Sequence, residues 1–344
     1  MPTLPPPRAK NKKYAAVLVG FGYWGPILAR VINQSRDFYL FAIVDKDESK
    51  KEIIWAQYPG VLWHGDVDQV NFDKVDIAFI ATPAKSHFDL AKFFLNKNVN
   101  VWLEKPACTS FAEAQSLVSL ASERQLLIVV DHPYVFHPAI KEIKNLIQSH
   151  KLGNIFYYES SRANLGIFQN DVDVLWDLVV HDISIIGELF PDLVPEVKSA
   201  YAHNPLAKFG SNASMVSAQL LYPNGMMVSI DANWLSPIKI RRTVIGGEKA
   251  TVIFDDSEVI EKVKIYEQEF TSNQSFEITQ EMQVGFRSGD IYVPRLSSRE
   301  ALVIAVEQLA ETLESGVKYP NELSRQLPVI RILEDIQRRI EKSD

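Results

Sequence analysis

The stretch Ala15-Ala16-Val17-Leu18-Val19-Gly20-Phe21-Gly22-Tyr23-Trp24-Gly25 constrains this chain more than any other. An unbroken apolar run entering Gly-x-Gly-x-x-Gly fits a parallel strand buried on both faces, then a turn into a helix. Gly20 permits the tight turn, Gly22 lets backbone approach a pyrophosphate, and Gly25 lets the helix sit close to the strand. Pro26 suits the first helical turn, where its missing N–H costs nothing. The helix start then offers N–H groups and a positive dipole end to phosphate. Phe21, Tyr23 and Trp24 complete the loop as candidate contacts to a dinucleotide. Trp24 has two open roles, covering that ligand or filling core beneath it.

A second apolar run, Phe38 to Val44, ends in Asp45, 20 residues after Gly25. An acid at that place can accept hydrogen bonds from both adenine-ribose hydroxyls and repels a 2′-phosphate, which points to NAD over NADP. Lys46 beside it weakens that preference.

Further apolar runs alternate with helical periodicity up to about residue 130, which predicts a parallel sheet with helices on both faces. Val75–Ile80 ends at Ala81-Thr82-Pro83, and Val99–Leu103 ends at Glu104-Lys105-Pro106. Leu126–Val130 ends at Asp131-His132, and Ser110 with Glu113 reads as a capping box for the helix between. Ligands of such sheets bind beyond the carboxyl ends of the strands, where all these residues fall. After a helix at about 138–150 the pattern changes to successive strands at 155–162, 197–203, 213–221, 226–234, 239–245, 250–254 and 259–266. Pro223-Asn224-Gly225 marks a hairpin, and one helix at about 173–189 interrupts the series. Successive strands predict a largely antiparallel sheet with one free face, a natural subunit interface. Two helices, about 297–315 and 321–341, follow. The expected class is α/β: a flexible tail over 1–13, a Rossmann domain over 14–131 and an α/β substrate and oligomerisation domain over 132–344.

Composition narrows the partners. The 344 residues carry a net charge of −7, which speaks against nucleic acid. No apolar run reaches the roughly 18 residues of a membrane span. The N-terminal prolines and basic residues lack an apolar signal core, and Cys108 is the only cysteine. A cytoplasmic protein without a disulfide framework or cysteine zinc cluster is expected. The histidines near the second candidate site give no compact metal spacing, so no metal is expected.

Two constellations can carry proton chemistry. Lys105 follows a buried strand and precedes Pro106, which biases it toward extended backbone at the mouth of the sheet. It can take part in proton transfer or stand solvated at a strand end. Asp177 and His181 are four residues apart on one helical face, as a base with its orienting group or as a local hydrogen bond.

These motifs together, with His87 after Thr82-Pro83, resemble the glucose–fructose oxidoreductase / inositol dehydrogenase / MocA family over residues 14 to about 330. The resemblance implies a nicotinamide cofactor, a C-terminal open sheet used for oligomerisation (dimer or tetramer), and catalysis by Lys105, Asp177 and His181. It implies that His87 supports the cofactor loop; Glu104 is expected to face the cofactor. His181 is then expected to take the proton of a secondary alcohol while Lys105 stabilises the alkoxide, or the reverse, with Asp177 orienting the sugar or His181. The chain is most similar to the family's nucleotide-sugar 3-dehydrogenase branch, which implies a UDP-linked N-acetylhexosamine or its uronic acid as substrate. That likeness rests on Arg162-Ala163-Asn164-Leu165-Gly166, on Asn170 to Asp177, and on Trp234-x-x-Pro237-x-Lys239-x-Arg241-Arg242. Arg162, Lys239, Arg241 and Arg242 are candidates for diphosphate or carboxylate, and Asn164, Tyr134 and His137 for the sugar pocket. An NADPH-dependent 3-ketoreductase and a non-catalytic NAD(H)-binding regulator are the competing readings.

Overall fold

The computed structural model describes residues 12–165, 171–191, 193–209, 212–272 and 284–342. Gly166, Asn170 and most of the N-terminal tail lie outside the described residues. The chain divides into two compact units, one of residues up to Phe136 with Arg299–Arg331, the other of His137–Ser298 with the residues from Ile332.

In the first unit β1 (Tyr14–Val19), β2 (Phe38–Val44), β3 (Leu62–His64), β4 (Ile77–Ile80), β5 (Asn100–Glu104) and β6 (Ile128–Asp131) form one sheet in the order 3-2-1-4-5-6. Every pairing in it is parallel. This is the doubly wound order that places a ligand crevice above β1 and β4. The intervening helices are α1 (Gly25–Gln34), α2 (Lys51–Gln57), α3 (His87–Asn96) and α4 (Phe111–Glu123). The strand interiors are apolar because helices cover both faces. Phe79 packs between Phe38 and Trp102, and all three are fully buried. Ser110 stands at the start of α4 without a side-chain cap bond, so the expected capping box does not form.

In the second unit α5 (Pro138–Gln148) precedes β7 (Ile155–Ala163), and a π-helical turn, Leu175–Val179, leads into α6 (Val180–Leu189). Then come β8 (Glu196–His203), β9 (Met215–Leu221), β10 (Met227–Asn233), β11 (Ile240–Gly247), β12 (Ala250–Asp255), β13 (Val263–Ser272) and β14 (Val284–Tyr292). They form one sheet in the order 14-13-12-11-7-10-9-8, antiparallel except between β7 and β10. Alternation is clean in β9, where Val216, Ala218 and Leu220 are buried and Met215, Ser217 and Gln219 exposed. The strand expected from residue 259 begins at Val263, because Val259 and Ile260 lie exposed in the turn before it.

Two helices follow, α7 (Ala301–Ser315) and α8 (Leu323–Glu341). The sequence reading gave all of 132–344 to the second domain; in the structure α7 belongs to the first unit. Its buried face, Leu302, Ala305, Val306 and Leu309, joins the core of α1 and the parallel sheet. Tyr319 after it is fully buried near Trp102 and donates to Ala305 O. An apolar helix face far along the chain serves a sheet made near its start, which local patterning cannot reveal.

Candidate functional site

The top of β1 is where backbone crowding is greatest. Gly20 has φ +93°, and a Cβ there meets Ala81 O at 2.6 Å. A Cβ on Gly25 meets Gly20 O at 2.3 Å, whereas one on Gly22 meets no protein atom within 4 Å. Gly20 and Gly25 are thus demanded by the fold, and Gly22 leaves open space beside exposed backbone. That space before α1 is the place a pyrophosphate fits. Tyr23 is exposed and Phe21 buried against Tyr58. Trp24 packs on the core, and its Nε1 donates to Asp131 Oδ2 at 3.1 Å, which resolves its two open roles toward the core.

Asp45 does more than expected. Its Oδ2 accepts the Phe21 N–H at 2.6 Å and the Lys50 ammonium at 3.0 Å, and its Oδ1 accepts the Asp47 N–H at 2.8 Å. The carboxylate braces the glycine loop, and its cation neighbour is Lys50. After β4, the Thr82–Pro83 turn is braced by His87, a buried residue. One ring nitrogen of His87 lies 2.8 Å from Thr82 O and the other 2.9 Å from Pro106 O. Carbonyl oxygens only accept, so a neutral ring can donate to one of the two. His87 thereby ties the loop after β4 to Pro106, whose peptide bond with Lys105 is cis. Glu104 and Lys105 are partly buried at the same edge, and Tyr134 lies buried in the turn Pro133–Phe136. The residues Gly20, Phe21, Gly22, Gly25, Asp45, Thr82, Pro83, His87, Glu104 and Lys105 thus share the carboxyl edge of one parallel sheet.

His132, just beyond β6, is 3% exposed and its Nδ1 has no hydrogen-bond partner among the described residues. Burial, then the nearby Lys105 charge, push its pKa down to about 3.

In the second unit the sheet holds the helix that carries Asp177 and His181. Asp182 is fully buried; its Oδ2 accepts Arg162 Nε at 2.7 Å and its Oδ1 accepts Ser160 Oγ at 2.6 Å. Arg162 and Ser160 project from β7 two residues apart, on one face. Arg162 was expected to bind substrate. Its guanidinium is instead buried beside Asp182, because a sheet interior cannot hold one charge without the other. Asp177 sits in the π turn and accepts Trp234 Nε1 on its Oδ2 at 3.0 Å. π turns recur at functional sites because they re-aim a side chain within a helix. His181, partly buried, opens α6 one turn later.

Arg241 lies opposite Arg162 in the β7–β11 register, and its Nη1 reaches Asp256 at 3.4 Å while part of the side chain stays exposed. Lys239 and Arg242 are exposed, and Asn164 is partly buried. His137, a pocket candidate, is a helix cap: its Nδ1 accepts from Ala139 N at 3.1 Å. Sequence reasoning missed the roles of Asp182, Ser160 and Lys50. The position of Asp182, directly after His181, was the available signal. Among the described residues no group of three or more His, Cys, Asp or Glu could hold a metal, and no helix is long and apolar enough to cross a membrane.

Residues 14–132 match the oxidoreductase family with an NAD-binding Rossmann fold, and 140–253 match the GFO/IDH/MocA C-terminal domain. The chain belongs to the GFO/IDH/MocA family and is an oxidoreductase with NAD as cofactor. It is 28% identical to a UDP-N-acetylglucosamine 3-dehydrogenase of Acidithiobacillus ferrooxidans over 161 residues, 46% of this chain and 49% of that protein. It is 25% identical to oxidoreductase P35 of Formosa agariphila, over 67% of this chain and 74% of that one. Among solved structures, the A. ferrooxidans UDP-N-acetylglucosamine 3-dehydrogenase GnnA superposes with TM-score 0.79 at 21% identity, covering 96% of this chain and 98% of that one. GenD2 from gentamicin A biosynthesis, in complex with NAD, superposes with TM-score 0.81 at 19% identity, covering 99% and 98%.

Two outcomes follow from the site. Arg162→Met leaves the Asp182 carboxylate buried without its cation and should lower the unfolding free energy by about 3–5 kcal/mol. Arg162→Met with Asp182→Asn should recover most of that loss in urea unfolding; an unchanged single variant would show that the pair is not structural. The second outcome concerns pH. Native His132 stays neutral down to about pH 3, whereas the unfolded chain protonates near 6.5. Its contribution is therefore complete above pH 6.5 and lost as pH falls toward 3. Relative to wild type, His132→Leu should gain about 1.4 kcal/mol per pH unit on acidification through that window, measured by urea unfolding.

Proposed function

We propose that the chain uses NAD to oxidise the 3-hydroxyl of a UDP-linked N-acetylglucosamine or its uronic acid, in amino-sugar or polysaccharide biosynthesis. The observation that carries this reading is the 28% sequence identity to a UDP-N-acetylglucosamine 3-dehydrogenase over 161 residues, 46% of the chain. Asp177, anchored by the Trp234 indole in a π turn, supports it. The cofactor, when bound, supplies a hydride acceptor. Backbone at Gly20–Gly25 and the edge residues Asp45, Thr82, Pro83, His87 and Lys105 hold and orient it. His181 takes the hydroxyl proton on a ring nitrogen, a task an imidazole suits. Lys105 Nζ donates to the same oxygen and stabilises its developing negative charge. Asp177 accepts from a sugar hydroxyl or orients His181. Asn164, Tyr134 and the exposed part of Arg241 serve the substrate's polar groups. Cys108 is buried, with its thiol pushed up to about 12 by burial, in keeping with a cytoplasmic protein. The exposed Met215, Met227 and Tyr201 on the second sheet suit contact with further copies of the chain, a homo-oligomer that sedimentation equilibrium distinguishes from a monomer.

With NAD present, a UDP-N-acetylhexosamine or its uronic acid should raise the melting temperature and drive NADH formation, and GDP- and dTDP-sugars should not. Lys105→Ala and His181→Ala should each lower kcat by about 10²–10⁴-fold. Stabilisation by free inositol or glucose alone overturns the substrate, and full turnover in both variants overturns the catalytic roles.

A further inference from the structure

The first unit holds a pair of carboxyl groups with no part in the chemistry above. Glu104 and Asp131 stand directly opposite each other where β5 and β6 pair. They continue the row of Trp102 and Val129, on the sheet face that α1 and α7 cover. Asp131 is 1% exposed, and Glu104 Oε2 and Asp131 Oδ1 are enclosed with no hydrogen-bond partner. Two carboxylates in register at this depth cannot both stay ionised without a large repulsive cost. The surroundings choose which keeps the proton. Asp131 Oδ2 accepts the Trp24 indole N–H at 3.1 Å. This donor favours the anion on Asp131. Lys105, one residue from Glu104, is the nearby cation for both acids. His132 is neutral, and the buried Tyr319 phenol has its pKa raised by burial and then by the Asp131 charge. Glu104 is raised well above the ordinary carboxyl range by burial and by the Asp131 charge, and Asp131 is raised to about 6 by burial.

We propose that Glu104 and Asp131 act as one unit holding a single proton and a single negative charge, which positions the Lys105 ammonium and, through Trp24, ties it to the glycine loop. This rests on Lys105 taking part in the reaction. Both acids are positioning residues, because each acts through Lys105 or Trp24. The pair, with Trp24, joins the end of β5, the end of β6 and the residue before α1.

The charge count supplies the test. Glu104→Gln keeps the anion on Asp131, and its amide still donates to that anion. Asp131→Asn moves the anion to Glu104, and its amide oxygen still accepts from Trp24. The double variant removes the charge. Each single variant should keep kcat within about fivefold of wild type, whereas the double should lose about a hundredfold or more, far beyond the product of the singles. KM for NAD should change by less than about fivefold in all three, because the loss falls on the reacting step. Infrared spectra of the full chain at pH 8 should show the carbonyl band of a protonated carboxylic acid, absent from both single variants. The proposal is overturned by a wild type without that band, by a band that survives in Glu104→Gln, or by a single variant as slow as the double. Failure of the Lys105 assignment looks different: Lys105→Ala would keep turning over while the band persists.

Discussion

The first unit depends on a steric constraint at the top of β1. The chain must leave a strand buried on both faces at Val19 and start a helix at Gly25. Only a residue without a side chain passes between β1 and Ala81 O, and only φ near +93° turns the backbone far enough. Once that turn is made, α1 lies close, Gly22 stands beside open space, and the strand ends that follow collect around it. The carboxylate of Asp45 then holds the loop by its Phe21 N–H. A cofactor site arises here because the backbone has been brought to an edge where no side chain fills the space.

A second theme is where the two units place charge. Each buries acidic groups next to the residues proposed to carry chemistry, and each compensates them differently. In the second unit Asp182 is paired with Arg162 and hydrogen-bonded by Ser160, which fastens α6 to β7 at the residue after His181. In the first unit Glu104 and Asp131 have no such buried arginine. Enclosed carboxyls in register settle by retaining a proton instead. A paired ion is a rigid anchor, whereas a protonated acid pair can respond to what binds beside it. The difference fits an anchored helix in one unit and a ligand-contacting edge in the other.

Much of this was legible along the chain. The glycine turn, the ends of β4, β5 and β6, the hairpin at Asn224-Gly225 and the shift to antiparallel strands all follow from local period and turn chemistry. Asp177 and His181 stand where helical spacing put them, although a π turn rather than a plain helix carries Asp177. Arg162 shows the limit. An arginine at an alternating strand position reads as available charge until its partner is known, and that partner lies 20 residues away on another element. His137 likewise reads as a candidate for the sugar pocket, yet it caps α5. Trp24 could not be assigned from its place in the glycine loop, because its hydrogen-bond partner is on β6.

What the sequence by itself determined was the backbone: which segments are strands, where the chain must be glycine, and that the first sheet is parallel. These depend on a few neighbouring residues and on side-chain period. What only the tertiary structure decided was the fate of individual charges and of the late helix α7. Whether Arg162, Asp45, Glu104 or Asp131 is free, paired or protonated depends on what stands within hydrogen-bond reach, and those neighbours are distant in the chain. Coulomb and desolvation terms act through space with no regard for chain order, so no local pattern can state them in advance.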